Sequence, residues 1–312
     1  MTVPPAHGLL LTAGLGTRLR PLTLIRAKPA VPVAGEPLVR RIVRWLGTNG
    51  VTNLVLNLHH LPATIAAVAG DGSDLGVRIR YSWEQPVVLG SAGGPRLALP
   101  MLGGDPFVIV NGDTLTDVDL TGLAGAHAAS GAMVTLALVP NREPLRYGGV
   151  RLDRRSRVTG FVPRGAAAEG SFHFVGVQLA AVEAFGSLPA GRALNSIGGV
   201  YDDWVTARPG SIHGFVSEAA FWDIGTLSDY WRTSLSLLES ATGDPSWRGR
   251  DVRVDPAARV QRSILWDAVE VGPGAVLEEC IVADGVRIPA GTTYRRMALA
   301  QTEAGLLTAP VE

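Results

Sequence analysis

LLLTAGLGTRLRPLTLIRAKPAVPVAGEP, the stretch from Leu9 to Pro37, decides the fold. Its start, with His7 and Gly8 ahead of it, is a short apolar run with the length and character of a buried parallel strand. The run breaks at Ala13 into Gly14-Leu15-Gly16-Thr17-Arg18. Two glycines let the backbone turn sharply and approach a ligand with no Cβ in the way. A strand that ends in such a turn points bare N–H groups above the sheet, where they suit phosphate oxygens. Arg18 and Lys28 stand close to Pro21 and Pro29; with Pro32 and Pro37, these prolines predict a stiff extended loop rather than a helix. Two fixed cations beside a glycine turn make a cradle for a polyphosphate, and a solvated surface loop is the plain alternative. The pattern lacks the third glycine of a dinucleotide fingerprint and the G-K-[ST] of a P-loop.

The same stretch resembles the signature of the sugar-1-phosphate nucleotidyltransferases, approximately A-A-G-x-G-T-R-L-x-P-L-T followed by P-K-P-x-x-P-V. It stands here, ungapped, as Thr12 to Thr23 and Ala27 to Val33, with Thr12 and Ala27 in place of the commonest Ala and Pro. The resemblance implies that Thr12, Ala13, Gly14, Leu15, Gly16 and Thr17 hold the nucleotide, with Gly14 and Gly16 acting through their backbone. It implies that Arg18 neutralises the β- and γ-phosphates and that Lys28 bridges the sugar phosphate and the α-phosphate.

Downstream, apolar spacing predicts a helix over 38–46, a buried strand over 51–58, a short helix over 62–69 and a strand over 77–83. A further helix is expected over 91–99 and a buried strand over 107–110. Alternation of this kind predicts an α/β fold, an open, mostly parallel Rossmann-like sheet with helices on both faces. Ligands on such sheets bind beyond the carboxyl ends of the strands, where the glycine turn falls. Asn111-Gly112-Asp113 closes the strand at 107–110 and places a carboxylate where a hard cation could sit, with an Asx-turn as the alternative. The resemblance implies that Asp113 binds Mg²⁺. Asp117-Val118-Asp119 reads as D-x-D, the metal motif of many glycosyltransferases, but Asp119 is better placed to cap a helix starting at Leu120.

Glu84 to Gly94, EQPVVLGSAGG, resembles the family's base-binding segment E-x-x-x-L-G-T-A-G and implies roles for Gln85, Gly90, Ser91 and Ala92. It looks more like the guanylyl and some uridylyl enzymes than the thymidylyl ones. Tyr147-Gly148-Gly149-Val150 resembles a segment that touches the sugar in relatives, so Gly148 and Gly149 are expected there. Where relatives often carry F-x-E-K-P, this chain has Phe161-Val162-Pro163-Arg164-Gly165. Arg164 can replace the cation but Pro163 cannot replace a carboxylate, and Asn195 or Glu169 could supply the polar contact. Phe221-Trp222-Asp223-Ile224-Gly225-Thr226 resembles W-x-D-I-G-T, which makes Asp223 the second metal ligand. Only the resemblance pairs it with Asp113.

The tail repeats. Val254-Asp255-Pro256-Ala257-Ala258 recurs 17 residues later as Val271-Gly272-Pro273-Gly274-Ala275 and after another 17 as Ile288-Pro289-Ala290-Gly291-Thr292. Small residues and aliphatics at that period predict triangular coils of a short left-handed β-helix of the hexapeptide type. The expected organisation is a catalytic domain over 1–243, the β-helix over 250–295 and a tail over 296–312. No histidine lies beyond His213, so the β-helix reads as structural, with a homo-oligomer expected.

The bulk numbers exclude several classes. Lys plus Arg and Asp plus Glu are 28 each and no basic run occurs, which argues against nucleic acid as a partner. No apolar run approaches the roughly 18 residues a membrane helix needs. The N-terminus, Met1 to Pro5, lacks the pattern of a signal peptide. One cysteine, Cys280, excludes an internal disulfide and fits the cytoplasm. The resemblance implies an enzyme that joins a nucleoside triphosphate to a sugar 1-phosphate with Mg²⁺, giving NDP-sugar and pyrophosphate. It lies closest in look to the mannose-1-phosphate guanylyltransferases. Uridylyl or thymidylyl transfer to N-acetylmuramate or glucose 1-phosphate, a non-catalytic nucleotide-sugar-binding homologue, and a glycosyltransferase using the D-x-D remain as alternatives.

Overall fold

In the computed structural model the chain is described over residues 3–312; Met1 and Thr2, which open the N-terminal stretch read above, lie outside the described residues. By packing, the chain forms two compact units. The first takes residues 3–14, 42–60 and 69–221; the second takes 15–41, 61–68 and 222–312. Helix α1 (Leu38–Thr48) carries the chain from one set of segments to the other, and α2 (Pro62–Ala69) falls almost wholly in the second set.

The first unit is built on one mixed sheet. Strands β1 (His7–Leu11), β2 (Asn53–Leu58), β3 (Arg78–Trp83) and β4 (Phe107–Asn111) run parallel in the order β4-β1-β2-β3. The side chains of β1, β2 and β4 are largely apolar on both faces, the composition a covered parallel sheet requires, whereas the edge strand β3 carries Arg78 and Arg80 and is exposed at both ends. The sheet continues with β5 (Val134–Pro140), β6 (Gly149–Leu152), β7 (Val158–Val162), β8 (Phe172–Ala180) and β9 (Ile212–Val216). Here β8 lies antiparallel to β4, β5 and β6, and β9 runs parallel to β5. Helices α3 (Gly90–Ala98), α4 (Leu120–Ser130), α5 (Val182–Gly186) and α6 (Tyr201–Ala207) accompany it. Leu9, Val55, Phe107, Ile109, Phe185 and Tyr201 belong to one buried cluster that ties the parallel and antiparallel parts together.

The second unit joins the proline-rich loop to the C-terminal repeats. The loop forms no α-helix; short 3-10 turns at 17–19, 22–24 and 28–30 punctuate it, with Pro21 between the first two and Pro29 inside the third, where a proline cannot donate to a longer helical ladder. Helix α7 (Leu227–Thr242) opens with a reciprocal capping box between Thr226 and Asp229 and ends at Gly243 in the left-handed region. Beyond it come β10 (Trp247–Arg248), β11 (Arg253–Val254), β12 (Arg259–Gln261), β13 (Ile264–Leu265), β14 (Glu270–Val271) and β15 (Val276–Glu278). They are followed by β16 (Ile281–Val282), β17 (Arg287–Ile288), β18 (Thr293–Arg295), β19 (Met297–Thr302) and β20 (Gly305–Pro310).

These strands stack in parallel as three faces, β10-β13-β16-β19, β11-β14-β17 and β12-β15-β18, and the antiparallel β20 covers the end of the first. The register pairs residues 17 apart, such as Arg253 with Glu270 and Glu270 with Arg287, the period of the sequence repeat. This is the short left-handed β-helix expected of the tail. Leu265, Val269, Leu277, Val282 and Leu299 fill its axis.

Candidate active site

In the first unit the chemistry gathers at the carboxyl ends of β1, β2, β3 and β4. Thr12, Asn57 and Glu84 close three adjacent parallel strands. The backbone N–H of Thr12 donates to Asn57 Oδ1 at 2.6 Å, and the Thr12 hydroxyl donates to the Asn57 carbonyl. Asn57 Nδ2 donates to Glu84 Oε1 at 2.6 Å, and the N–H of Leu89 donates to Glu84 Oε2 at 2.6 Å. Thr12 and Glu84 are fully buried. The relay therefore links the start of the glycine turn to the start of α3 through a carboxylate out of reach of water. Gly94 makes room for it: a Cβ there would lie 2.5 Å from Glu84 Oε1 and 2.8 Å from Asn57 Nδ2.

The Gly90-Ser91-Ala92 end of α3 is fixed from the other side. The N–H groups of Ala92 and Gly93 donate to the Leu194 carbonyl, and Ser91 Oγ lies 2.8 Å from Ser196 Oγ. Gly90 adopts φ +75°, and a Cβ on it would lie 2.8 Å from Asn195 Oδ1. Asn195 thus stands beside the base segment, while Gln85 is exposed. Asp113 follows β4, whose register pairs Asn111 with Leu11, and the Gly112 N–H donates to the Leu11 carbonyl at 2.9 Å. Asp113 and Thr12 therefore leave neighbouring strand ends.

Gly148 lies in the same unit with a Cβ position 3.8 Å from the Arg164 backbone nitrogen, so the two expected sugar residues are neighbours. Gly149 is buried at the head of β6 and packs against Ser171. His173 on β8 stacks on Tyr147 at 4.2 Å between ring centroids and on Phe221 at 4.9 Å. Burial pushes the His173 imidazole down to about 4, against the opposing pull of the Gly148 carbonyl, so the ring is neutral at physiological pH. The D-x-D aspartates serve the backbone: Asp119 accepts from the Thr121 N–H as N-cap of α4, and Asp117 accepts from the Ala220 N–H at 2.7 Å.

In the second unit Gly16 adopts φ +60°, and a Cβ on it would lie 2.9 Å from the Thr23 methyl and 3.2 Å from Lys28 Cβ. Thr23 donates its hydroxyl to the Gly16 carbonyl at 2.9 Å. Only glycine fits this corner, against which the nearly buried Lys28 rests. Arg18 is exposed. A Cβ on buried Gly225 would lie 2.8 Å from Asp223 Oδ2 and 3.2 Å from both Arg18 Nη1 and Asp229 Oδ2. The structure therefore brings Arg18 and Asp223 around one glycine, in the motif that precedes α7.

Residues 7–240 match the family described as nucleotidyl transferase. The chain belongs to that family. Residues 236–294 of this nucleotidyl transferase match the GlmU-like C-terminal hexapeptide family, in agreement with the β-helix. It is 31% identical to the mannose-1-phosphate guanylyltransferase of Mycobacterium tuberculosis over 95% of this chain and 85% of that protein. It is 29% identical to the UTP–glucose-1-phosphate uridylyltransferase of Synechocystis over 90% of this chain and 76% of that one. A shorter match, 48% identical over 36% of this chain and 49% of the relative, is to the N-acetylmuramate α-1-phosphate uridylyltransferase of Neisseria meningitidis. The solved structure of HddC from Yersinia pseudotuberculosis superposes with a TM-score of 0.64 at 22% identity, over 74% of this chain and 99% of that one, and shares the fold. This nucleotidyl transferase is an enzyme of the sugar-1-phosphate class.

Sequence reasoning gave no role to Asn57, Glu84 or Asp229. Asn57 looks like an ordinary strand residue until the register brings it to Glu84, which the sequence offers only as the opening residue of the base-binding segment. Asp229 was legible, because Thr226-x-x-Asp229 is a capping-box spacing.

Proposed function

We propose that the chain transfers GMP from GTP to mannose 1-phosphate, releasing pyrophosphate. The observation that carries this is the near end-to-end match, β-helix included, to a mannose-1-phosphate guanylyltransferase. The Leu89-Gly90-Ser91-Ala92-Gly93 segment adds to it, since it resembles the base-binding segment of guanylyl enzymes more than that of thymidylyl ones. In this reading the sugar phosphate oxygen attacks the α-phosphorus in line while pyrophosphate leaves. Such a transfer depends on positioning and charge neutralisation rather than on a covalent intermediate. Gly14 and Gly16 hold the triphosphate by backbone N–H groups, Arg18 neutralises the leaving pyrophosphate, and Lys28 bridges the two reacting phosphates. Gly148, Gly149, Arg164 and Asn195 take the sugar.

The family resemblance assigns Asp113 and Asp223 to Mg²⁺; each side chain would offer hard carboxylate oxygens, and Mg²⁺ is commonly held by one or two carboxylates plus substrate phosphates. Bound there, the ion would neutralise charge on the triphosphate. Among the described residues no group of three or more His, Cys, Asp and Glu could hold a metal by itself, so substrate oxygens would complete the shell. Cys280, a buried free thiol, suits the reducing cytoplasm assumed for this enzyme.

A panel measuring pyrophosphate release with four NTPs crossed with mannose, glucose and N-acetylmuramate 1-phosphates, with and without Mg²⁺, tests the reading. GTP with mannose 1-phosphate is expected to give the highest kcat/KM, with no turnover in EDTA. A higher value for UTP with N-acetylmuramate 1-phosphate would favour the second reading, which the 48% identical segment supports. Nucleotide binding with no pyrophosphate from any pair would mark a non-catalytic homologue.

A further inference from the structure

Arg26 lies two residues before Lys28, at a position for which the signature demands no particular side chain, and it points into the β-helix. Its Nε donates to Asp284 Oδ2 at 2.6 Å and its Nη2 to Asp284 Oδ1 at 2.7 Å, a two-pronged contact. The same Nη2 donates to Asp267 Oδ2 at 2.9 Å. Asp267 and Asp284 occupy equivalent places in successive coils, 17 residues apart, and the Asp267 N–H donates to Asp284 Oδ1. The guanidinium also stacks over the Trp266 ring, 5.4 Å from its centroid. Trp266 is fully buried and donates its indole N–H to the Tyr230 hydroxyl at 2.9 Å. Tyr230 in turn donates to the Pro32 carbonyl at 2.6 Å.

Lys28 is therefore bracketed. Four residues downstream the backbone is held through Tyr230 and Trp266, and two residues upstream it is held by Arg26 on two coils. Between them the Ala27 N–H donates to Thr64 Oγ1 at 3.0 Å. All of these contacts lie within the second unit. An exposed clamp of this kind would be weak, but the Arg26 side chain is only 18% exposed, and a partly buried bidentate pair holds its geometry far better than a surface one.

We propose that Arg26 is a positioning residue, and that Asp284 and Asp267 of the β-helix anchor through it the loop that carries Lys28. The C-terminal coils then act in the reaction as the fixed end of the catalytic loop. This rests on the nucleotidyltransferase role given to Lys28 above. Asp284 is the principal partner, because Asp267 is shared with Arg250 at 3.0 Å.

The test is a set of full-length variants: Arg26→Ala, Arg26→Lys, Asp284→Asn, the double Arg26→Ala/Asp284→Asn, and Arg250→Ala as control. Arg26→Ala and Asp284→Asn are expected to lower kcat by about 10- to 100-fold with a much smaller change in KM for the nucleotide, as for other groups that orient a reacting one. The double variant should be no worse than the worse single, since both remove one contact. Arg26→Lys should recover only part of the rate, because an ammonium cannot make the two-pronged contact. Arg250→Ala should match the wild type. Hydrogen exchange of amides 15–33, compared with those of β1 and β4, should speed up in both single variants while the sheet amides stay protected. Wild-type-like kcat and unchanged exchange in Arg26→Ala and Asp284→Asn would overturn the anchor. If the wild type itself releases no pyrophosphate in the full panel, the proposed reaction is wrong, and the exchange measurement alone decides whether the anchor exists.

Discussion

Changing Lys28 to Ala removes an ammonium on a nearly buried stem and leaves the Gly16 corner intact. For this variant, and for Arg18→Ala, kcat should fall by about 10²- to 10³-fold, the size seen when one preorganised charge-stabilising group is lost. Far-UV circular dichroism should be unchanged, and rates within a few-fold of wild type would remove these residues from the chemistry. Both cations are visible in the sequence as candidates, because a glycine turn with fixed charges suggests its chemistry locally. The part Glu84 plays is not: it opens the segment that resembles the base-binding one, but its relay depends on register. Its two carboxylate oxygens accept from Asn57 and from the Leu89 N–H with no exposure to water. In Glu84→Gln one acceptor becomes a donor facing a donor, at a cost of about 1–3 kcal/mol in stability. Because the relay sets both the glycine turn and the start of α3, KM for the nucleotide should rise along with that loss. A denaturant midpoint and nucleotide KM both equal to wild type would show the relay to be idle.

Strands announce themselves by apolar runs, as in β1, β2 and β4, or by alternation, as in β3, and all four were legible for those reasons to within a residue or two at their ends. Direction was not. Nothing in Phe172–Ala180 says that β8 enters antiparallel between β4 and β5, since a run buried on both faces reads the same either way. That insertion brings His173 beside Tyr147 and Phe221 and so ties β8 to the Gly148 segment. The stack makes its own pH prediction. His173 is held down to about 4 by burial, below the ordinary imidazole value of 6.5, so the unfolded chain binds more protons than the folded one between those values. Stability from this group is therefore complete above about pH 6.5 and is lost as the pH falls toward 4. Urea unfolding at pH 7 and pH 5 should show the wild type losing about 2 kcal/mol more than His173→Phe, which keeps an aromatic ring and cannot titrate. Equal losses in the two proteins would place the imidazole in contact with solvent.

The two packed units do not follow the order of the chain. The second collects 15–41 and 61–68 from within the sheet-forming sequence and joins them to everything after 221. A linear reading divides the chain at the Gly243-Asp244-Pro245-Ser246 turn, because composition and the 17-residue period change there. Such a reading has no access to the contacts that cross it in space. Trp266 lies under Arg26 and against Tyr230, so coils cut away after Ser246 would take from the Arg26 guanidinium and the Trp266 indole the partners described above, and from the Tyr230 phenol one of its two. The indole and the phenol are fully buried, the guanidinium is partly so, and all three are satisfied across the cut, so separation costs far more than the loss of one covalent bond in an exposed turn. Cleavage at a protease site inserted after Asp244 should therefore leave the two fragments together. They should co-elute on size exclusion in native buffer and retain pyrophosphate release within a few-fold of the uncut chain. The same cut in Arg26→Ala should let the fragments part at lower denaturant concentration. Fragments that separate at once in buffer, with the sheet part still active, would show that the β-helix is an appendage and that the loop stands without it.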